Sequence, residues 1–182
     1  MENALAWIGQ IAAWIGQFFP RWVVLDTTEG AIKYVHGSRV VACGPGIHWY
    51  WPAVTTWVPY PTARQADQLE TQTMETLDGR TIIVGGILVY SVTDLAALIT
   101  TTHSPTSTVK DIALTAVHDV CCQMEWEALK AAQRSGLLDR ELRKAAQDQL
   151  KDYGVKVIKL MLTNLARARV LKVSQSVSKE EQ

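Results

Sequence analysis

The chain has 182 residues with 18 basic and 18 acidic side chains, so no net charge favours nucleic acid as a partner. Its 48% hydrophobic content is enough for one packed domain of roughly 160 residues beyond the N-terminal stretch. Three cysteines, Cys43, Cys121 and Cys122, are odd in number and partly adjacent; this excludes a disulfide framework and suits a reducing compartment.

The first stretch is the most distinctive. Between Glu2 and Arg21 lie eighteen uncharged residues, Asn3 to Pro20. Within them Ala-Trp-Ile-Gly-Gln occurs twice, at Ala6–Gln10 and Ala13–Gln17. At helical periodicity Leu5, Trp7, Ile8, Ile11, Trp14, Ile15, Phe18 and Phe19 share one broad face, while Asn3, Ala6, Gly9, Gln10, Ala13, Gly16 and Gln17 share the other. A buried core helix, a cleaved signal peptide and an interfacial helix are the alternatives. The run has no charged outer face, no basic start and no Lys or Arg on its polar side. A spanning helix needs about 20 apolar residues, and this run barely reaches that. The pattern therefore predicts a short membrane-inserted helix over residues 1–22, its bulky side against lipid and its small side (Gly9, Ala13, Gly16) against neighbouring helices. Pro20 ends it, and Arg21 and Trp22 mark the interface.

Strands are predicted at Val23–Asp26, Ala31–His36, Arg39–Ala42, Ile47–Trp51 and Thr55–Tyr60, separated by turns such as Cys43-Gly44-Pro45-Gly46. Six of the seven tryptophans fall in the first 57 residues. Consecutive residues of a strand face opposite ways, so at least one of Trp49, Tyr50 and Trp51 must leave the core. Trp49 and Trp51 are candidates for an aromatic belt at a bilayer surface. Arg64–Leu77 reads as a long polar extended stretch, and Asp78-Gly79 as a hairpin turn into the apolar strand Arg80–Val92. Gly85-Gly86 suggests a bulge there.

A short helix follows from Thr93 to about Thr101. Ser104-Pro105 opens a longer one with the stripe Val109, Ile112, Ala113, Ala116, Val117, Val120, Cys121 and Met124. A further helix spans about Leu138–Tyr153, with Leu138, Leu142, Ala145, Ala146, Gln149 and Tyr153 on its apolar side. Asp139–Arg143 and Lys144–Asp148 stand at ion-pair spacing, and Gly154 as its left-handed cap. Val155–Thr163 is the last strand. Several strands, then helices, then one strand make an α+β fold. From residue 166 a short basic tail bears Arg167, Arg169 and Lys172, and Ala166–Val173 has no evident partner in its own domain.

Chemistry is sparse. Of four histidines, His118 lies one helical turn from Cys121 and Cys122. A metal there would need a further converging ligand, and none stands at a recognisable spacing. A cysteine nucleophile with His118 as base lacks an identifiable third, orienting group. There is no Gly-rich phosphate loop. The expectation is a non-enzyme without catalytic, cofactor or metal residues.

Four stretches in order resemble the stomatin/prohibitin/flotillin (SPFH, band 7) family: Thr28-Glu29-Gly30-Ala31-Ile32; Gly44-Pro45-Gly46-Ile47-His48 with Trp51-Pro52; Thr76-Leu77-Asp78-Gly79 followed by the strand ending Tyr90-Ser91-Val92-Thr93-Asp94; and Leu150-Lys151-Asp152-Tyr153-Gly154-Val155-Lys156-Val157. The resemblance covers roughly residues 23–165. It implies an α+β domain on a membrane anchor, assembling into homo-oligomeric rings of many copies that organise a membrane patch. The alternative is a regulator that binds a membrane protease or channel. Members of that family continue into a long helical or coiled-coil region, whereas here a short tail follows, so ring formation would rest on the domain, the anchor and contacts by Arg167 and Arg169. The organisation expected is an anchor at 1–22, a domain at 23–165 and a tail at 166–182. The partners expected are a lipid bilayer and further copies of the chain, with Trp7, Ile8, Ile11, Trp14, Ile15, Phe18, Phe19, Trp22, Trp49 and Trp51 meeting lipid. Arg21, Lys33 and Arg39, close after the anchor, place the domain on the cytoplasmic side.

Overall fold

A computed structural model describes residues 19–37 and 39–168. Residues 1–18 of the anchor helix read over 1–22, and the contacts assigned to Trp7, Ile8, Gly9, Ile11, Ala13, Trp14, Ile15, Gly16, Phe18 and Arg169, therefore lie outside the described residues; the end of that anchor is corrected, because Arg21 and Trp22 begin an antiparallel strand instead of closing a helix. Among the described residues no helix is long and apolar enough to cross a membrane.

Five short strands come first: β1 (Arg21–Leu25), β2 (Glu29–Val35), β3 (Arg39–Cys43), β4 (Gly46–Tyr50) and β5 (Thr55–Pro61). They form two small antiparallel sheets. One is the two-stranded ribbon β1–β4, and the other has the order β3–β2–β5. Turn residues dictate these breaks. His36 and Gly37 both adopt positive φ between β2 and β3, and Gly46, at φ 132°, opens β4 in a region closed to most side chains.

Two long strands and the last strand build the principal sheet, in the order β6–β7–β8: β6 (Gln65–Glu75), β7 (Thr81–Val92) and β8 (Val155–Arg167). The register shifts at Gly85/Gly86 in the β7–β8 pairing, as the paired glycines predict. A Cβ on Gly86 would press on the Met161 carbonyl. Between β7 and β8 come α1 (Leu95–Thr101), α2 (Pro105–Cys122), α3 (Trp126–Ser135), α4 (Leu137–Leu150) and a single 3-10 turn, Lys151–Tyr153. The Asp94 carboxylate caps α1 by accepting from the Ala97 amide at 3.0 Å. α2 and α4 pack on each other and on the sheet. Between them they bury Val109, Ala113, Ala116, Val117, Cys121, Leu138, Leu142, Ala146 and Leu150 against Ile82, Val84, Leu88, Tyr90 and Leu160.

Three further expectations are corrected. First, α3 is absent from the sequence reading. It buries only Leu129, too little for an apolar stripe, and its start is fixed from outside by the β6–β7 turn, where the Asp78 carboxylate accepts from the Trp126 amide at 3.2 Å. Second, the last strand runs to Arg167, past the expected end at Thr163. Ala166 pairs with Ile83, Arg167 with Ile82, and the Ala168 amide donates to the Thr81 carbonyl, so residues 166–168 do have a partner in their own domain. Third, Asp139–Arg143 and Lys144–Asp148 are not among the ion pairs of the described residues. On α4 the side chain that completes the buried stripe is Leu150, not Gln149 or Tyr153.

The small sheets are tied to the principal one by backbone. The Val92 amide donates to the Thr62 carbonyl, and the Thr62 and Ala63 amides donate to the Thr28 carbonyl. Ile32 of β2 reaches the common core.

Candidate membrane interface

The ribbon β1–β4 has two unlike faces, and strand alternation separates them. Directly opposed residues of an antiparallel pair project to the same side. Trp22 is opposite Trp49 and Val24 opposite Ile47, so these four form one apolar face. It is turned to solvent: Trp22 is 68% exposed, Val24 66%, Ile47 68% and Trp49 60%. The two indoles meet edge to face, centroids 5.5 Å apart at 65°, which braces the projecting rings. Phe19 and Trp51, at the ends of the ribbon, are exposed as well. Neither β1 nor β4 contains an acidic residue.

The other face explains why the ribbon holds this attitude. Val23 and His48 are opposed, as are Arg21 and Tyr50, and this side lies on Trp57 of β5. The Trp57 ring meets His48 at 5.7 Å and Tyr50 at 5.8 Å. Lys33 stands 5.9 Å from the Trp57 centroid and donates to the Trp49 carbonyl at 3.3 Å. His48 donates from Nε2 to the Gly44 carbonyl at 2.7 Å, which fixes both the imidazole and the turn into β4. Among the described residues the buried Trp57 indole N–H has no hydrogen-bond partner. The Trp57 ring contacts and the Lys33 hydrogen bond to the Trp49 carbonyl together hold the ribbon down.

Of the lipid contacts expected within the described residues, Phe19, Trp22, Trp49 and Trp51 are all exposed, while Tyr50 turns inward. The sequence reading missed Val24 and Ile47. The signal was available as alternation: Trp22-x-Val24 and Ile47-x-Trp49 each place two apolar residues on one side. Arg167, expected at a subunit contact, is exposed near the end of β8.

Elsewhere two sets of polar contacts serve the fold. Buried Tyr90 donates to Asp67 at 3.1 Å, and Lys110 pairs with the same carboxylate at 3.6 Å. Burial first, and then the Asp67 charge, raise the Tyr90 phenol far above its ordinary range. Tyr60 meets Thr106 at 3.1 Å, linking β5 to the start of α2. Among the described residues no group of three or more His, Cys, Asp or Glu side chains stands where it could hold a metal ion.

Comparison with known proteins gives one family. The sequence model described as SPFH domain / Band 7 family matches residues 21–182. No curated protein matches the chain.

Proposed function

From the fact that the chain belongs to the SPFH domain / Band 7 family, whose members are membrane-associated and scaffold-like, we propose that it is a non-enzymatic scaffold. In this reading it lies on a bilayer by the Trp22/Val24/Ile47/Trp49 face and the apolar N-terminal stretch, and assembles into a ring of many copies. The observation that carries the reading is that face: four large apolar side chains on one ordered ribbon, immediately after eighteen uncharged residues. Soluble surfaces rarely gather such a patch without a partner.

Magnitudes say that the face does not act alone. Full burial of four such side chains gives at most about 6–12 kcal/mol, and the loss of translational and rotational freedom offsets about 4–15 kcal/mol. The ribbon is then a second attachment that sets how the domain lies, and residues 1–18 supply the main one. Arg21, Lys33 and Arg39 and the free thiols favour the cytoplasmic side.

Edge charges support side-by-side assembly. β6 and β8 are the two edges of the principal sheet. β6 carries Asp67, Glu70 and Glu75 and no basic residue; β8 carries Lys156, Lys159 and Arg167 and no acidic one. Complementary edges on opposite sides of one protomer suit a head-to-tail contact, which closes into a ring when the rotation allows.

Both parts can be tested on the full-length chain. Flotation with liposomes after removal of detergent should fall at least about tenfold in Trp22→Ala/Trp49→Ala, given about 1.5–3 kcal/mol for each large side chain. Leu77→Ala/Leu137→Ala, which removes exposed apolar residues elsewhere, should leave it unchanged. Equal flotation of both double variants would sink the docking face. In mild detergent the protein should form large particles; Glu70→Lys/Glu75→Lys should break them, and adding Lys156→Glu/Lys159→Glu should restore them. A monomeric wild type would end the ring proposal.

A further inference from the structure

At the end of α2, away from the ribbon, three reactive side chains stand in line. Cys122 Sγ lies 3.5 Å from His118 Nε2, one turn back on the same helix. His118 Nδ1 faces Asp119 Oδ1 at 3.7 Å. The Gln149 amide of α4 donates to the other Asp119 oxygen at 3.3 Å, so a second helix holds the carboxylate in place. Asp119 and Gln149 supply the orienting groups that spacing alone did not reveal, because Gln149 comes from thirty residues further on.

We propose that Cys122 is a site of covalent thiol modification with His118 as its base, and that its natural co-reactant is a low-molecular-weight disulfide. As the Cys122 sulfur attacks one sulfur of that disulfide, its proton passes to His118 Nε2. The S–S bond of the reagent breaks, a mixed disulfide forms on Cys122, and the departing thiolate takes the proton back from His118. Cys122 is oxidised, the released half is reduced, and His118 ends neutral. The Asp119 carboxylate stabilises the imidazolium while it exists.

The other two cysteines lack this arrangement and serve as internal controls. Cys121 is fully buried, and burial first, with Cys122 next, pushes its thiol up to about 12. Burial raises the Cys43 thiol, with Lys33 partly opposing it, and its sulfur meets the Val41 carbonyl at 4.0 Å.

The test is the reaction of the folded full-length protein with dithiodipyridine, followed by thiopyridone release. A fast phase of one thiol per chain is expected. Cys122→Ser should abolish it and Cys43→Ser should leave it. His118→Ala and His118→Gln should slow it at least about tenfold without accelerating the remaining slow phase, which reports that the fold is intact. A fast phase that survives Cys122→Ser, or one whose rate is unchanged in both His118 variants, overturns the proposal.

Discussion

Leu142 and Trp49 are both large apolar side chains on regular elements, yet Leu142 has no exposed surface and Trp49 projects into solvent. The contrast extends to whole regions. From Leu69 to Leu160 the apolar residues of β6, β7, β8 and the helices close on one another, with Leu88, Leu98, Leu129, Leu138, Leu142, Leu150 and Leu160 fully buried. From Arg21 to Pro61 the buried hydrophobics are Leu25, Ala31 and Ile32, while Trp22, Val24, Ile47, Trp49, Trp51, Val54 and Val58 face out. The second region is not a small core of its own. It leans on the first through Ile32 and backbone hydrogen bonds, and presents Trp22, Trp49 and Trp51 on a surface. Hydrophobicity alone does not distinguish packing from docking; the partner across the sheet does.

The largest test of that contrast is truncation on each side of it. Leu142→Ala and Leu160→Ala remove fully buried side chains and should each cost about 2–5 kcal/mol in urea unfolding of the detergent-solubilised protein. Trp49→Ala should cost less than about 1 kcal/mol, the scale of its edge contact with Trp22. A loss at Trp49 as large as at Leu142 would mean that the ribbon is packed against protein rather than presented to a partner.

A smaller effect is expected at the seam. Gly154 sits at φ 68° after the 3-10 turn. Its carbonyl accepts from the amides of Thr93 and Asp94 and from the Thr93 hydroxyl at 2.9 Å. A Cβ there would run into the Asp94 backbone. Gly154→Ala should therefore cost about 1–2 kcal/mol from conformation alone, with the added clash displacing the start of α1. Because α1 touches β2 and β3, hydrogen exchange should rise in β2 as well as in α1. A rise confined to α1 would show that the small sheets are held independently.

The same contrast decides what could be read from the sequence. Gly154, Asp78-Gly79 and Gly85-Gly86 announced a cap, a turn and a bulge because each answers a local backbone demand. The α2 stripe was visible because Val109, Ala113, Ala116, Val117 and Cys121 recur at helical spacing and are all buried on one face of an 18-residue helix. α3 was invisible: with only Leu129 buried, its position is set by Asp78, forty-eight residues earlier. The extension of β8 to Arg167 was missed because its outer end, Asn164-Leu165-Ala166-Arg167, has one large apolar residue and no alternation, while register with β7 keeps it in the sheet. At the interface alternation put Trp22 with Val24 and Ile47 with Trp49, but that the two pairs share one face of one ribbon followed from the Trp22–Trp49 and Val24–Ile47 pairing.

The finest effect belongs to the β6–β7 turn, within the core-bearing region and dependent on pH. The Asp78 carboxylate lies below its ordinary value of 3.8, first because the Thr76 hydroxyl donates to it, and further because of the Trp126 amide and the Arg80 guanidinium; partial desolvation opposes these. A carboxyl with a lowered folded pKa favours the folded state above its ordinary pKa, and that contribution fades as pH falls through the lowered value. The stabilisation should thus be present at neutral pH and decline below about pH 4. Its loss should appear first where Asp78 acts, as faster exchange of the Trp126 amide and fraying of the start of α3. The ribbon face contains no carboxylate and should not change over the same interval. Asp78→Asn should bring the Trp126 amide close to its acid-state exchange at neutral pH and flatten its pH dependence. If that amide in Asp78→Asn still shows the wild-type acid transition, another carboxylate governs the turn, and Glu127, held down by its hydrogen bond with Lys130, becomes the next residue to substitute.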